Sequence, residues 1–139
     1  MTFELRLQRS LSANTESVWL ALTDPARLAA WFWPERFGTV VQTDPRAGGR
    51  FRIEAPKAEL GVSGRYTVVE PPRRLAMIWR WDGEEHESLV TIELAADPDG
   101  ATELTLHHAQ LADDSSVEQH IQGWSDCLDR LPGELAAIA

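Results

Sequence analysis

Tryptophan clusters in one short segment of the chain, and this segment contains a helix boundary that fixes its local structure. Three of the six tryptophans lie between residues 18 and 33. Asp24 directly precedes Pro25, a pair typical of an N-cap residue followed by proline at the first helical position. Apolar residues recur at helical spacing on both sides of this pair. The segment therefore predicts two short amphipathic helices that meet at a corner, the second beginning at Pro25.

Alternating apolar and polar residues before and after this corner predict β-strands. The first strand covers Phe3 to Gln8, and turn residues divide the chain after residue 37 into six further segments. These segments are residues 37–43, 50–54, 62–69, 75–81, 88–94 and 102–108. The short turns between them predict an antiparallel meander, and we expect the first strand to join its edge.

An apolar stripe near the C-terminus predicts a long helix. Ser115 and Glu118 have the spacing of a capping box, so we expect a helix from about residue 116 to Leu131. Pro132 should kink or end it, because proline removes a backbone donor and crowds the preceding turn. Spacings of three and four residues place the stripe on one face. The stripe consists of Val117, Ile121, Trp124, Leu128, Leu131 and Leu135.

Composition and charge narrow the possible functions. Thirteen basic and twenty-two acidic residues give a formal net charge of −9, which disfavours nucleic acid as a partner. We expect no membrane partner, because no apolar run approaches the roughly 18 residues of a membrane span. The lone cysteine, Cys127, excludes an intramolecular disulfide and a cysteine metal cluster. We therefore expect one cytoplasmic domain over residues 1–139, without a cofactor or a metal.

One strand, two short helices, six strands and a long helix indicate an α+β fold in which a curved antiparallel sheet of about seven strands wraps around the last helix. Eight short motifs lie along the chain. They are Val18-Trp19-x-Ala21-Leu22-Thr23-Asp24-Pro25, Trp31-Phe32-Trp33, Gly48-Gly49-x-Phe51, Gly64-x-Tyr66, Val69-x-Pro71-Pro72-x-x-Leu75, Trp79-x-Trp81, Thr102-x-Leu104-Thr105-x-x-His108 and Gly123-Trp124. Together these motifs resemble the activator of heat-shock-protein-ninety ATPase homologue family, which belongs to the START-like superfamily.

The resemblance implies a helix-grip fold with a hydrophobic cavity between the sheet and the last helix. The superfamily contains ligand-binding, aromatase/cyclase and pollen-allergen domains. The eukaryotic activator that names the family also carries a separate N-terminal chaperone-binding domain. This sequence starts directly at the first strand, so we do not expect chaperone activation to be its leading role.

Strand alternation indicates which side chains face the implied cavity. On the last strand, His108 shares a face with leucines while His107 points away, and desolvation should lower the pKa of His108. Tyr66 is the other polar candidate. The large aromatic residues are equally explained by core packing alone. The predicted ligand-contacting residues are Trp31, Phe51, Tyr66, Met77, Trp79, Trp81, Leu104, Leu106, His108, Trp124 and Leu128.

Three function hypotheses stay open. The leading one is a binding module for a small apolar or aromatic molecule. The second is an aromatase/cyclase-like or related lyase enzyme, with His108 or Tyr66 acting in general acid/base catalysis. The third is a protein-interaction or chaperone-regulating domain, with a protein partner or a homodimer. One satisfied polar group in an apolar cavity favours binding, whereas two convergent unsatisfied ionisable groups favour catalysis.

Overall fold

A seven-stranded antiparallel sheet and a long C-terminal helix make up most of the structure, a computed structural model that describes residues 2–138. The elements in chain order are β1 (Leu5–Leu11), α1 (Thr15–Thr23), α2 (Pro25–Trp31), β2 (Val40–Thr43), β3 (Arg50–Ala55), β4 (Leu60–Glu70), β5 (Arg74–Trp81), β6 (Ser88–Ala96), β7 (Thr102–Ala109) and α3 (Asp114–Ala137). This order confirms the predicted α+β helix-grip fold.

The sheet has the strand order β1-β7-β6-β5-β4-β3-β2, which places β5 at its centre. The first strand pairs with the last, with Leu7 opposite Leu106, so the expectation that it joins the edge of the meander is confirmed. The strand predicted from residue 37 begins only at Val40. Residues 35–37 instead form a short 3-10 turn that ends at Gly38, whose φ of +63° suits glycine.

The corner between α1 and α2 forms as predicted. Asn14 caps α1, and the Asp24 side chain accepts a hydrogen bond from the backbone N–H of Arg27 at the start of α2. The indole N–H of Trp31 donates to the carbonyl of Ala21 over 2.9 Å. This bond ties the two short helices together, and it gives Trp31 a structural role.

The last helix begins earlier and ends later than predicted. Asp113, not Ser115, caps α3 through a hydrogen bond to the backbone N–H of Ser116, so the predicted capping box is wrong. The helix also continues through Pro132 to Ala137. Leu131 and Leu135, on either side of the proline, are both buried. Their packing offsets the one backbone hydrogen bond that proline removes.

One residue of the predicted stripe does not face the sheet. Ile121 is 40% exposed, and its neighbour His120 occupies the inward position one helical turn before Trp124. From Trp124 onward the buried positions match the prediction, with Cys127 added. Within residues 2–138, no helix has both the length and the apolar character needed to cross a membrane.

Candidate ligand-binding groove

An aromatic cluster fills the space between the end of α2, the central strand β5 and α3. Phe32 makes edge contacts with Trp33 at 5.1 Å and with Trp124 at 5.7 Å between ring centroids. Trp79 lies 5.2 Å from Trp124 and 6.1 Å from Phe32. Pairs at these separations stabilise a core beyond the area they bury. The centre of the predicted cavity is therefore occupied by the protein's own rings.

A groove of about 570 Å³ opens beside this cluster. Its aromatic walls are Trp33 after α2, Trp79 and Trp81 on β5, and Trp124 on α3. The rings of Trp33 and Trp81 are stacked, with centroids 6.3 Å apart and planes 25° from parallel. A concave surface of this size with aromatic walls is typical of a small-molecule site.

The structure brings three of the eleven predicted contact residues to this groove: Trp79, Trp81 and Trp124. The other eight are buried and do not line it. These eight are Trp31, Phe51, Tyr66, Met77, Leu104, Leu106, His108 and Leu128. Strand parity thus identified the inner face, but most of that face is packed core.

His108 is fully buried at the centre of a hydrogen-bond chain. The indole N–H of Trp124 donates to His108 Nδ1 over 3.0 Å, so we assign the ring hydrogen to Nε2. Nε2–H then donates to Ser88 Oγ at 2.7 Å, and that hydroxyl donates to the carbonyl of Trp79 at 3.3 Å. Both ring nitrogens are therefore hydrogen-bonded to protein groups. This series of hydrogen bonds connects α3 to β7, β6 and β5.

Burial lowers the pKa of His108 to about 3, with smaller contributions from His120 and His107. This direction agrees with the expectation of an uncharged imidazole on an apolar wall. The neutral ring is also the form that can accept a hydrogen bond from Trp124 at Nδ1. His108 thus holds the core together as a neutral residue.

His120, which the sequence analysis did not single out, lies on the groove wall. Its Nδ1 is 2.7 Å from the carbonyl of Ser116, so this nitrogen carries the hydrogen, and Nε2 accepts the indole N–H of Trp81 at 3.0 Å. The His120 ring also meets the His108 ring at 4.7 Å, edge to face. The available sequence signal was its position one helical turn before Trp124 and one turn after Ser116.

Trp79 carries the one polar atom of the aromatic walls that is buried without a partner. The side chain is 3% exposed, and its indole N–H makes no hydrogen bond to any of residues 2–138. Leaving a buried donor unpaired costs about 1–3 kcal/mol. Trp79 also lines the groove.

Two other reactive side chains are buried, and burial keeps them protonated. Burial raises the pKa of the Cys127 thiol to about 12, and the thiol donates to the carbonyl of Phe32. Arg130 also donates hydrogen bonds to this carbonyl and to that of Trp31, so these carbonyl groups at the end of α2 have partners. Burial raises the pKa of Tyr66, whose ring packs away from the groove lining. The Cys127 thiol and the Tyr66 hydroxyl therefore both stay protonated at neutral pH.

The rim of the groove is acidic. Glu59, Asp82, Glu84 and Asp113 line it, and its lining contains no lysine or arginine. Asp82 is paired with Arg52 at 2.8 Å, and the hydrogen bond from Arg52 holds the pKa of this carboxyl below its usual range. The other three carboxylates form no salt bridge with residues 2–138.

Comparison with known proteins identifies the family. The profile of the activator of Hsp90 ATPase homolog 1-like proteins matches residues 12–136, which is most of the chain. The chain belongs to this family. The match confirms the resemblance drawn from the motifs. A comparison with curated protein sequences found no match.

Several solved structures share the fold. Protein CV1439 from Chromobacterium violaceum is 31% identical, with a TM-score of 0.81 and 96% of each chain covered. DynU16, from the dynemicin biosynthetic locus, is 28% identical with a TM-score of 0.84, over 96% of this chain and 47% of that one. PFC0360w, an HSP90 activator from Plasmodium falciparum, is 20% identical with a TM-score of 0.82 and 96% of each chain covered. At that identity the likeness shows the fold alone.

Proposed function

We propose that this chain is a binding module for a small aromatic or apolar molecule, held in the groove between β5 and the N-terminal half of α3. The observation that carries the proposal is the groove itself, with four tryptophan rings in its walls. Stacking on such rings supplies binding energy without demanding one ligand shape. A hydrogen bond from the unpaired indole N–H of Trp79 to an acceptor atom would orient the ligand.

The polar groups near the groove support binding over catalysis. Both nitrogens of His120 are already hydrogen-bonded, to Ser116 and Trp81. His108 is equally satisfied and lies behind the wall, and Cys127 is held as a neutral thiol. General acid/base catalysis needs a titratable group within reach of the substrate and near its working pKa. His108 does not line the groove, Cys127 is held as a thiol, and both nitrogens of His120 have protein partners.

The comparisons support a small-molecule ligand ahead of a chaperone partner. DynU16, which is 28% identical, comes from the dynemicin biosynthetic locus. The HSP90 activator shares only 20% of its residues with this chain, so its activity is not carried over. The family name alone does not decide between the two roles, because one fold hosts many functions.

Gly123 offers a direct test of the groove. It lies on α3 in the groove lining, and a Cβ built there meets nothing within 4 Å. Gly123→Leu should therefore fill the groove without disturbing the fold, and it should favour the helix by about 1 kcal/mol. We expect the neutral fluorophore N-phenyl-1-naphthylamine to bind the parent protein with increased emission. Its affinity should fall about tenfold or more in Gly123→Leu.

Gly133→Leu is the matched control. This glycine lies on the same helix, also has open space around it, and does not line the groove. The control should bind the fluorophore as the parent does. Equal affinity in the parent and in Gly123→Leu would place the site elsewhere, and failure of the parent to bind would remove the proposed function. Native mass spectrometry of the purified protein would identify a natural ligand directly.

A further inference from the structure

The carboxylates that line the groove have no lysine or arginine among the other lining residues. Glu59, Glu84 and Asp113 have no salt-bridge partner among residues 2–138, whereas Asp82 forms a salt bridge with Arg52. The full chain, with these carboxylates included, has a formal net charge of −9. A ligand that brings an anionic group to this rim would meet repulsion from close carboxylates as well as from the overall field.

The N-terminus of α3 does not offset this charge. The first turn of a helix attracts anions through its free N–H groups and its dipole. Here the Asp113 carboxylate already accepts the N–H of Ser116 at 2.8 Å, and Asp114 adds a second acidic residue to the same turn. The helix end is therefore already neutralised by the chain itself.

The walls of the groove favour a positive charge in the same place. Trp33, Trp79, Trp81 and Trp124 line the groove, and Trp33 and Trp81 stack on each other there. Indole faces attract cations, with energies of roughly 0.5–2 kcal/mol that grow as the pair loses water. The indole N–H of Trp79 has no partner among residues 2–138, so an acceptor on the ligand would pair with it where the ligand reaches it. A carbonyl or ether oxygen can accept this hydrogen bond without adding negative charge.

We propose that the groove selects aromatic cations that carry an uncharged oxygen acceptor, and that it rejects aromatic anions. This inference rests on the proposed function of the groove. Its chemical class includes planar aromatic amines and quaternary heteroaromatic ions. It excludes aryl carboxylates and sulfonates of the same size.

Three fluorescent probes separate charge from shape. N-Phenyl-1-naphthylamine is neutral, and 8-anilinonaphthalene-1-sulfonate has the same two ring systems with an added sulfonate. Berberine is a planar aromatic cation with ether oxygens. The sulfonate should bind about tenfold more weakly than the neutral probe, and berberine should bind at least as tightly. Raising NaCl from about 20 mM to about 500 mM should weaken berberine binding and leave the neutral probe unchanged.

Charge-neutralising variants localise the effect. The double variant Glu59→Gln/Glu84→Gln should lower the affinity for berberine about three- to tenfold and leave the neutral probe unaffected. The control Glu16→Gln/Glu118→Gln makes the same change in net charge at exposed positions outside the groove. It should leave berberine binding within about twofold of the parent.

The outcomes distinguish the two proposals. Equal binding of the sulfonate and the neutral probe would overturn charge selection and leave the groove as a ligand site. An equal loss of berberine affinity in both double variants would also overturn it, since the cause would then be overall charge. If none of the three probes binds the parent protein, the proposed function fails, and this inference fails with it.

Discussion

Acid should destabilise this protein through one histidine, His108. Its pKa is lowered from 6.5 to about 3 by burial, and both of its nitrogens are bonded within the core. In the unfolded chain the same imidazole takes up a proton below about pH 6.5. Between these two values the unfolded state binds one more proton than the folded state. The free energy of unfolding should therefore fall as the pH drops through this window.

The size of the effect follows from the two pKa values. Each unit of pH inside the window removes about 1.4 kcal/mol at most. Between about pH 7 and about pH 4.5, His108 alone should remove about 2.5 kcal/mol. That is a large share of a typical stability of about 5–15 kcal/mol. The loss should level off below about pH 3, where the folded protein also binds the proton.

Chemical unfolding in urea across this pH range measures the effect, with His108→Leu as the reference variant. The carboxylates titrate in both proteins, so the difference in unfolding free energy between them isolates the histidine. His108→Leu should be less stable at neutral pH because Trp124 loses its acceptor, and the difference should shrink by about 2.5 kcal/mol by about pH 4.5.

His107→Leu is the control, because His107 lies next in sequence but on the outer face, 3.6 Å from Glu4. Its difference from the parent protein should change much less over the same pH range. A difference for His108→Leu that stays constant with pH would refute the linkage argument. An NMR titration that places the pKa of His108 near 6.5 would refute it as well.

Three further predictions concern packing. Trp124→Ala should lower the free energy of unfolding by about 3–5 kcal/mol, whereas Ile121→Ala, on the exposed face of the same helix, should cost less than about 1 kcal/mol in the same urea assay. Cys127 should stay unreacted with Ellman's reagent in the native protein at about pH 8 and react fully in denaturant, because burial raises the pKa of its thiol. Gly64→Ala should cost more than about 2 kcal/mol by thermal unfolding, because a Cβ there would overlap the carbonyl of Ile78. A stable Gly64→Ala variant would contradict this close approach.

The fold could be predicted because local signals and the global architecture agree. Asp24 and Pro25 specify a helix start whatever surrounds them, and the structure places the cap there. The strands were recognisable because alternation persists over most of their length. Their ends were less certain, as at Val40, where the preceding residues form a 3-10 turn instead.

The helix face was predicted only in part, because apolar spacing leaves the rotation of a helix ambiguous. Counting back from Trp124, either Ile121 or His120 fits the repeat. Hydrophobicity favours isoleucine, yet the structure buries histidine more deeply. The deciding contact is the hydrogen bond from the Trp81 indole to His120 Nε2, between residues 39 positions apart. No local pattern contains such a contact.

The sequence predicted which face of the sheet is turned inward, but not where free space remains beside it. Strand parity correctly placed His108 and its neighbouring leucines on the inner side of the sheet. Whether that side encloses space depends on how large rings from three elements fit together. Phe32, Trp79 and Trp124 fill the centre, and the groove lies beside them, toward the start of α3. Volumes of this kind arise from packing and are not encoded in periodicity.

The two halves of α3 differ in how deeply their side chains are buried. None of its residues before Trp124 is fully buried, whereas the half from Trp124 onward supplies five buried side chains. The first half includes His120 and Gly123 and forms one wall of the groove. Stability is therefore concentrated in the second half, and most of the helix's groove-lining residues lie in the first. Substitutions of the groove-lining residues before Trp124 should change the affinity of the proposed site at small cost in stability, which makes the groove open to redesign without loss of the fold.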